Sequence, residues 1–378
     1  MNELQKTTDH LVYLIRCVLH QIAPEIGRVE EMDLTAVIGL AQKHMLNAAA
    51  VMALEMAWKA GLSVEEEQKK TWLTMKDRQA FKNLKMDIER EAILQILAEE
   101  GIWSMPLKGS ILAGMYPKIG MRQMGDNDIL FDASYAEKVK EIMEGRGYKT
   151  LEFGVGNHDV YDKPPFYHFE MHTSLLHHEY DPEWLAYYEN VTERLVKDGY
   201  HYSFTDEDFY IFMIVHAYKH YSVSGTGLRT LVDEYVYLQK KGESLNWEYV
   251  QTELTKLKMA EFEGQIRRLA DKLFKEGSQA VYGEEQLDYI ITSGTYGTVE
   301  HRVSNWMDAM EDGEMTWKRK VRYVWRRFFP TVQWYKDHFK ICRKYVWMIP
   351  FCWIFRIVRG IFCRRERLKR ELETVRKK

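Results

Sequence analysis

Residues 107–132 read LKGSILAGMYPKIGMRQMGDNDILFD. Leu107 closes the run IWSMPLKG, which has the texture of a short buried strand ending in a glycine turn. SILAGMY follows as a short helix, and NDILFD as a second strand. Moving downstream, ASYAEKVKEIMEGRG has the spacing of an amphipathic helix stopping at Gly145 or Gly147. YKTLEFG and the alternating FYHFEMHTSL then read as further strands. Strand–helix–strand–helix–strand order predicts an α/β (mixed) fold, a small mixed β-sheet with packed helices.

The acidic residues of this stretch have a defined placement. Side chains two apart on a strand point to the same side. Asp126 and Asp128 therefore project together, and Asn127 and Ile129 face away. Two neighbouring carboxylates with no basic residue between them repel each other unless a cation or water separates them. Magnesium suits such a pair, because it takes one or two carboxylates and fills its other positions with water and phosphate oxygens. In FYHFEMHTSL, Phe169 and Met171 alternate with His168, Glu170 and His172. If that strand lies beside NDILFD, Glu170 completes a three-carboxylate site able to hold two metal ions.

Gly109 and Ser110 sit where a strand turns into a helix. A glycine there lets backbone N–H groups approach phosphate oxygens, and the helix start favours negative charge. Ser110 is placed to cap the helix and donate to a phosphate. Lys108 and Arg122 each have two readings: a phosphate contact, or a stem covering the sheet edge. His172 is expected to brace a carboxylate or touch a phosphate. A zinc site built from His168, His172 and His177 or His178 is the alternative, needing three or four convergent ligands.

The flanks are helical in pattern. Across residues 1–100, Ser63 and Glu66 have capping-box spacing, which would open a helix at Val64. The pattern then runs to Glu100 without a strong breaker, and its length predicts an internal break. After Pro182, Phe209, Phe212, Met213, His216, Ala217 and His220 fit one buried helix face, with both histidines in the core. Lys219 lies beside that face, as a triphosphate contact or a solvated lysine. Arg229 and Asp233 have the i, i+4 spacing of a helix-surface pair.

The 378 residues are 46% hydrophobic and 29% charged, which excludes a disordered, collagen-like or multi-span membrane chain. Cys17, Cys342, Cys352 and Cys363 form no zinc-finger spacing and no disulfide scaffold, so a reducing compartment fits. The N-terminal MNELQKTTDHLVYLIRCVLH makes a poor signal peptide. The net charge of -3 conceals an asymmetry: residues 317–378 hold 20 Lys+Arg against 4 Asp+Glu. Mixed with Trp, Phe and Tyr, these cations point to an anionic bilayer, to nucleic acid, or to the acidic body of the chain itself. Tyr345 to Phe355, the longest uncharged run of this tail, is too short to span a bilayer.

Taken together, Lys108, Gly109, Ser110, Tyr116, Pro117, Arg122, Gly125, Asp126 and Asp128 resemble the uncharacterised nucleotidyltransferase family of the polymerase-beta-like nucleotidyltransferase superfamily. Glu170-Met171-His172 and His216, His220, Leu228, Arg229 and Asp233 are similar to its later motifs. Between its two aspartates the family commonly carries an aliphatic residue; here it is Asn127. The resemblance spans roughly residues 90 to 240. It implies transfer of NMP from an NTP, with magnesium, to an acceptor on a nucleic acid, a small molecule or a protein. Asp126, Asp128 and Glu170 would be catalytic and hold two Mg²⁺ ions. Lys108, Gly109, Ser110, Arg122, His172 and Lys219 would bind the nucleotide. The expected divisions are 1–100 helical, 101–182 sheet core, 183–316 helical, and a 317–378 basic tail. The expected location is cytoplasmic, peripheral at the inner face of a membrane. The second hypothesis is a catalytically inactive scaffold tethered to a membrane by the tail.

Overall fold

The computed structural model describes residues 2–278, 282–309, 316–363 and 365–377. The chain divides into two compact units. The first comprises Met1–Tyr218 with Gly227–Thr295, and the second Lys219–Thr226 with Tyr296–Lys378.

The first unit is built on a seven-stranded mixed sheet. Its strands are β1 (Ser104–Pro106), β2 (Asn127–Phe131), β3 (Lys149–Glu152), β4 (His158–Lys163), β5 (Tyr167–His172), β6 (Val196–Asp198) and β7 (His201–Ser203), in the order β3-β4-β5-β2-β1-β7-β6. β2 and β5 are parallel, as are β1 and β7; the other neighbours are antiparallel. Alternation gives each central strand two distinct faces. Ile129, Phe131, Tyr161, Phe169 and Met171 are buried on one of them. They pack with Ile93, Leu94 and Leu97 of the helix Glu66–Glu99 and with Val139 and Met143 of the helix Ala136–Gly145. Fully burying a side chain of this kind contributes about 1.5–3 kcal/mol, so this face is the core. The other face is free to carry polar chemistry.

Several sequence expectations are corrected. The helix Glu66–Glu99 runs 34 residues without a break. It contains neither Gly nor Pro, and its last third is anchored in the sheet core. Ser63 does not cap it; the flanking residue is Glu65, with no side-chain cap bond. Strand β4 lies between the two strands read at YKTLEFG and FYHFEMHTSL. A short hairpin, β6–β7, extends the sheet beyond residue 182, in a stretch read as helical. On the helix Asp206–Ser224, burial is spread round the axis rather than along one face: Tyr210, Ile211, Ile214 and Val215 are buried, His216 is half-buried and His220 is exposed.

The second unit is helical in its described residues. Val303 and Met307 of the helix Val299–Asp308 pack with Tyr323 of Thr316–Phe328 and Val375 of Arg365–Lys377. A separate cluster joins Tyr335, Cys342 and Cys352. Cys17, Cys342 and Cys352 are free thiols. Among the described residues no helix is long and apolar enough to cross a membrane.

Candidate active site

The polar face of the sheet carries Asp128 and Glu170, with Asp126 at the edge of β2. β2 and β5 run in parallel with Asp128 aligned directly opposite Glu170. Asp126 precedes β2 by one residue. Asn127, pointing the other way, is buried and donates from Nδ2 to the Met86 carbonyl (3.1 Å). That bond lets a polar residue stand in the core between the aspartates.

Lys108 Nζ contacts Asp128 Oδ1 at 2.9 Å, with side chains only 17% and 8% exposed. His172 Nε2 lies 2.8 Å from the same oxygen and 3.6 Å from Glu170 Oε2. Burial alone would raise Asp128, but Lys108 and His172 overcome it and hold its carboxyl well below the usual carboxylate range. Glu170 is likewise pushed up by burial and brought below its ordinary value by His172. Asp126 goes the other way: burial and the neighbouring Asp128 and Glu170 raise it, against Lys108. Lys108 itself loses by burial and gains more from Asp128, so its ammonium is held.

One amide sets the state of two imidazoles. Asn157 Nδ2 donates to the Ser174 carbonyl (3.0 Å), which fixes the orientation of its side chain. The same NH₂ faces His172 Nδ1 (3.3 Å), so Nδ1 accepts and Nε2–H donates to Asp128. Asn157 Oδ1 faces His158 Nδ1 (3.3 Å), so there Nδ1 carries the proton. The Nε2 lone pair of His158 is left 3.7 Å from Glu170 Oε2. Two acceptors facing each other suit a cation. His172 brings a ligand atom within 4.8 Å of those of His158 and Glu170, but its Nε2 proton goes to Asp128, and neither Asp126 nor Asp128 belongs to this group. His168 instead lies 3.4 Å from Asp162 and takes no part in this group.

The turn before the site is built by buried contacts. Lys108 has φ +48°, ψ −110°, a backbone conformation costing about 1–3 kcal/mol for a side-chain-bearing residue. Gly109 opens the helix Gly109–Ala113; a Cβ there would lie 2.6 Å from Arg122 Nη1. Ser110 does not cap this helix. Its buried hydroxyl donates to the Leu107 carbonyl (2.9 Å). Arg122 is 7% exposed and is clamped by Asp233 through Nε (2.7 Å) and Nη2 (2.9 Å), with Nη1 donating to the Gly109 carbonyl (3.2 Å). Tyr116 donates to the same aspartate (2.7 Å). Arg122 thus braces the turn from behind. Asp233 is a buried tertiary partner, not half of a surface pair with Arg229, whose Nη1 donates to the Gln123 carbonyl (3.1 Å).

Sequence reasoning missed four contributors. His158 opens a strand that was not read, and Asn157 lies in the turn just before it. From the long helix, Lys82 donates to the Met124 carbonyl (2.9 Å) and Asn83 to the Arg122 carbonyl (2.7 Å), anchoring the approach to Asp126. Nothing in their helical spacing marks them. Lys219 belongs to the second unit; the site described here is made of first-unit residues.

A mixed sheet that presents three carboxylates beside a strand, a tight turn and a short helix is a nucleotidyltransferase-type frame. The profile of a family described as uncharacterised nucleotidyltransferase matches residues 30–275, and the chain belongs to that family. The family implies a nucleotide substrate. No curated protein and no solved structure matches the chain.

Proposed function

We propose that the chain transfers NMP from an NTP to an acceptor hydroxyl, on a small molecule, a protein or a nucleic acid, and releases pyrophosphate. The observation that carries this reading is the alignment of Asp128 with Glu170 on adjacent parallel strands, with Asp126 beside them. The donor set fits a divalent cation. Asp126 is raised by burial and by its acidic neighbours, and His158 and Glu170 face each other as acceptors.

Asp126, Asp128 and Glu170 would hold Mg²⁺, as two ions. Bound there, divalent metal supplies the positive charge that offsets the α-phosphate and the departing pyrophosphate. His172 keeps Asp128 ionised and oriented. Glu170 accepts the proton of the acceptor hydroxyl, whose oxygen attacks the α-phosphorus in line as the bond to the bridging oxygen breaks. Lys108 leaves Asp128 for the triphosphate. The backbone N–H groups of Gly109 and Ser110 serve the β- and γ-phosphates, and Arg122 fixes the turn that presents them.

The test is incubation with each α-labelled NTP, Mg²⁺ and a host lysate. Label is expected in one acceptor class, with pyrophosphate formed in equal amount, and Asp128→Asn is expected to lower both by about 10²–10³-fold. A second reading, an inactive scaffold, rests on Lys108 already neutralising Asp128 within the chain. It predicts no divalent-dependent NTP binding by wild type, and calorimetry separates the two.

A further inference from the structure

In the second unit, the helix Ile349–Cys363 is turned apolar side out. Phe351, Ile354, Phe355, Val358 and Phe362 recur at helical spacing on one face, and all are between 47% and 81% exposed. The opposite face is the one that packs. Cys352 is buried there, Trp353 donates to the Phe328 carbonyl (2.8 Å) and Arg356 to the same carbonyl (3.3 Å). Arg356 is therefore turned inward, at the C-terminal end of the helix Thr316–Phe328, while the hydrocarbon and Arg359 are exposed.

That neighbouring helix repeats the pattern. Trp317, Val321 and Trp325, spaced by four, are each more than half exposed. Trp325 and Phe329 have ring centroids 4.5 Å apart, and Phe329 stacks at 5.5 Å on Trp353, on the packed side of Ile349–Cys363, so the two helices are joined there. Exposed hydrocarbon stripes on two neighbouring helices mark an interaction surface.

Charge selects what covers it. From His338 to Arg365 the sequence has seven Lys+Arg and no Asp or Glu, so a second copy of the same face would be repelled. Nucleic acid wants rings interleaved with outward cations. Here Ile354 and Val358 sit mid-stripe and offer no ring to a base. A bilayer surface with anionic headgroups accepts all of it: hydrocarbon at the acyl boundary, flanking cations at the phosphates, and the exposed Trp347 and Tyr345 at the interface. A 15-residue helix rises only about 22 Å, short of the ~30 Å core, so it lies on the membrane instead of crossing it.

We propose that the face formed by Thr316–Phe328 and Ile349–Cys363 docks flat on an anionic lipid bilayer. This is independent of the proposed transfer reaction, and its readout is not activity.

The test is flotation of the full chain with vesicles of phosphatidylcholine containing about a third phosphatidylglycerol, against pure phosphatidylcholine. The wild type should float with the anionic vesicles and at least tenfold less with the neutral ones. Ile354→Asp/Val358→Asp should lower anionic binding at least tenfold. Both sites are exposed, and circular dichroism checks that the fold is kept. Lys344→Glu/Arg359→Glu, which leaves the hydrocarbon intact, should also lower it and weaken its salt dependence. The proposal is overturned if the wild type stays at the bottom with anionic vesicles, or if the aspartate variant floats equally well. Tighter retention on single-stranded RNA than on vesicles overturns it in favour of nucleic acid. A dimer abolished by Ile354→Asp/Val358→Asp overturns it in favour of a second copy.

Discussion

Two clusters of buried charge flank the Gly109 turn, and they are built on opposite principles. In the Arg122–Asp233–Tyr116 cluster both carboxylate oxygens are engaged, Oδ1 by Tyr116 and Arg122 Nε and Oδ2 by Arg122 Nη2. One cation meets one anion, and nothing further is required. In the Asp126–Asp128–Glu170 cluster, Lys108 and two imidazoles lie against Asp128 and Glu170, and Asp126 is raised by burial and then by those two carboxylates, against Lys108 and Arg229. The first cluster holds the protein together. The second holds Asp128 and Glu170 low while Asp126 is raised, and we propose that a divalent cation completes it. Burial is common to both, so burial alone does not distinguish a structural pair from a reactive one; completeness of pairing does.

The contrast breaks most visibly at Asp233. Asp233→Ala leaves the Arg122 guanidinium buried without its anion and should cost about 3–5 kcal/mol of stability, read as a fall in the urea midpoint. A loss under ~1 kcal/mol would mean that the cluster is no lock. Asp128→Asn should instead act on turnover, lowering kcat by about 10²–10³-fold, the scale of losing one preorganised charge-stabilising group. Unchanged nucleotidyl transfer would remove Asp128 from the reaction.

Gly109→Ala should be intermediate. Its Cβ would displace Arg122 Nη1 from the turn, at about 1–3 kcal/mol of overpacking. An unaltered melting temperature together with unaltered KM for NTP would contradict the close approach.

The smallest expected effect tests the sign of the imbalance. Asp126's folded carboxyl lies above its unfolded value, so the folded state retains a proton that the unfolded chain has lost. Without metal, its contribution is present below the unfolded value of about 4 and is lost as pH rises through the raised one. Asp126→Asn should flatten that fall and leave the metal-free protein equal in stability or slightly more stable at neutral pH. Asp128 and Glu170, both held low, contribute in the opposite sense, losing stability as pH falls through their depressed values. Denaturation midpoints from pH 3 to 8 resolve the two trends.

Much of the sheet was legible because β1 and β2 are short buried runs, Phe169 and Met171 alternate with polar residues in β5, and a glycine turn follows β1. Strand β4 escaped because Asp159 interrupts its apolar face and Pro164 and Pro165 follow it closely. The hairpin β6–β7 has three-residue strands, with one half-buried residue, Tyr202, and five exposed ones. It forms by pairing with β1, which no local periodicity encodes. The adjacency of Asp128 and Glu170 could be read from spacing plus one assumption, that β5 lies beside β2. Partners could not be read. Arg229 and Asp233 have the right helical spacing, but the buried bidentate clamp of Arg122 offers Asp233 far more than an exposed pair worth a few tenths of a kcal/mol. His158 depends on the orientation of one Asn157 amide, a tertiary fact.

The most direct test of the central claim is the binding of Mn²⁺, as a probe for the divalent site, followed by electron paramagnetic resonance on wild type, Asp128→Asn and Glu170→Gln with a non-hydrolysable NTP present. Wild type should sequester two ions per chain, and each variant should lose at least one. Wild type binding none, or both variants binding as wild type does, would contradict it.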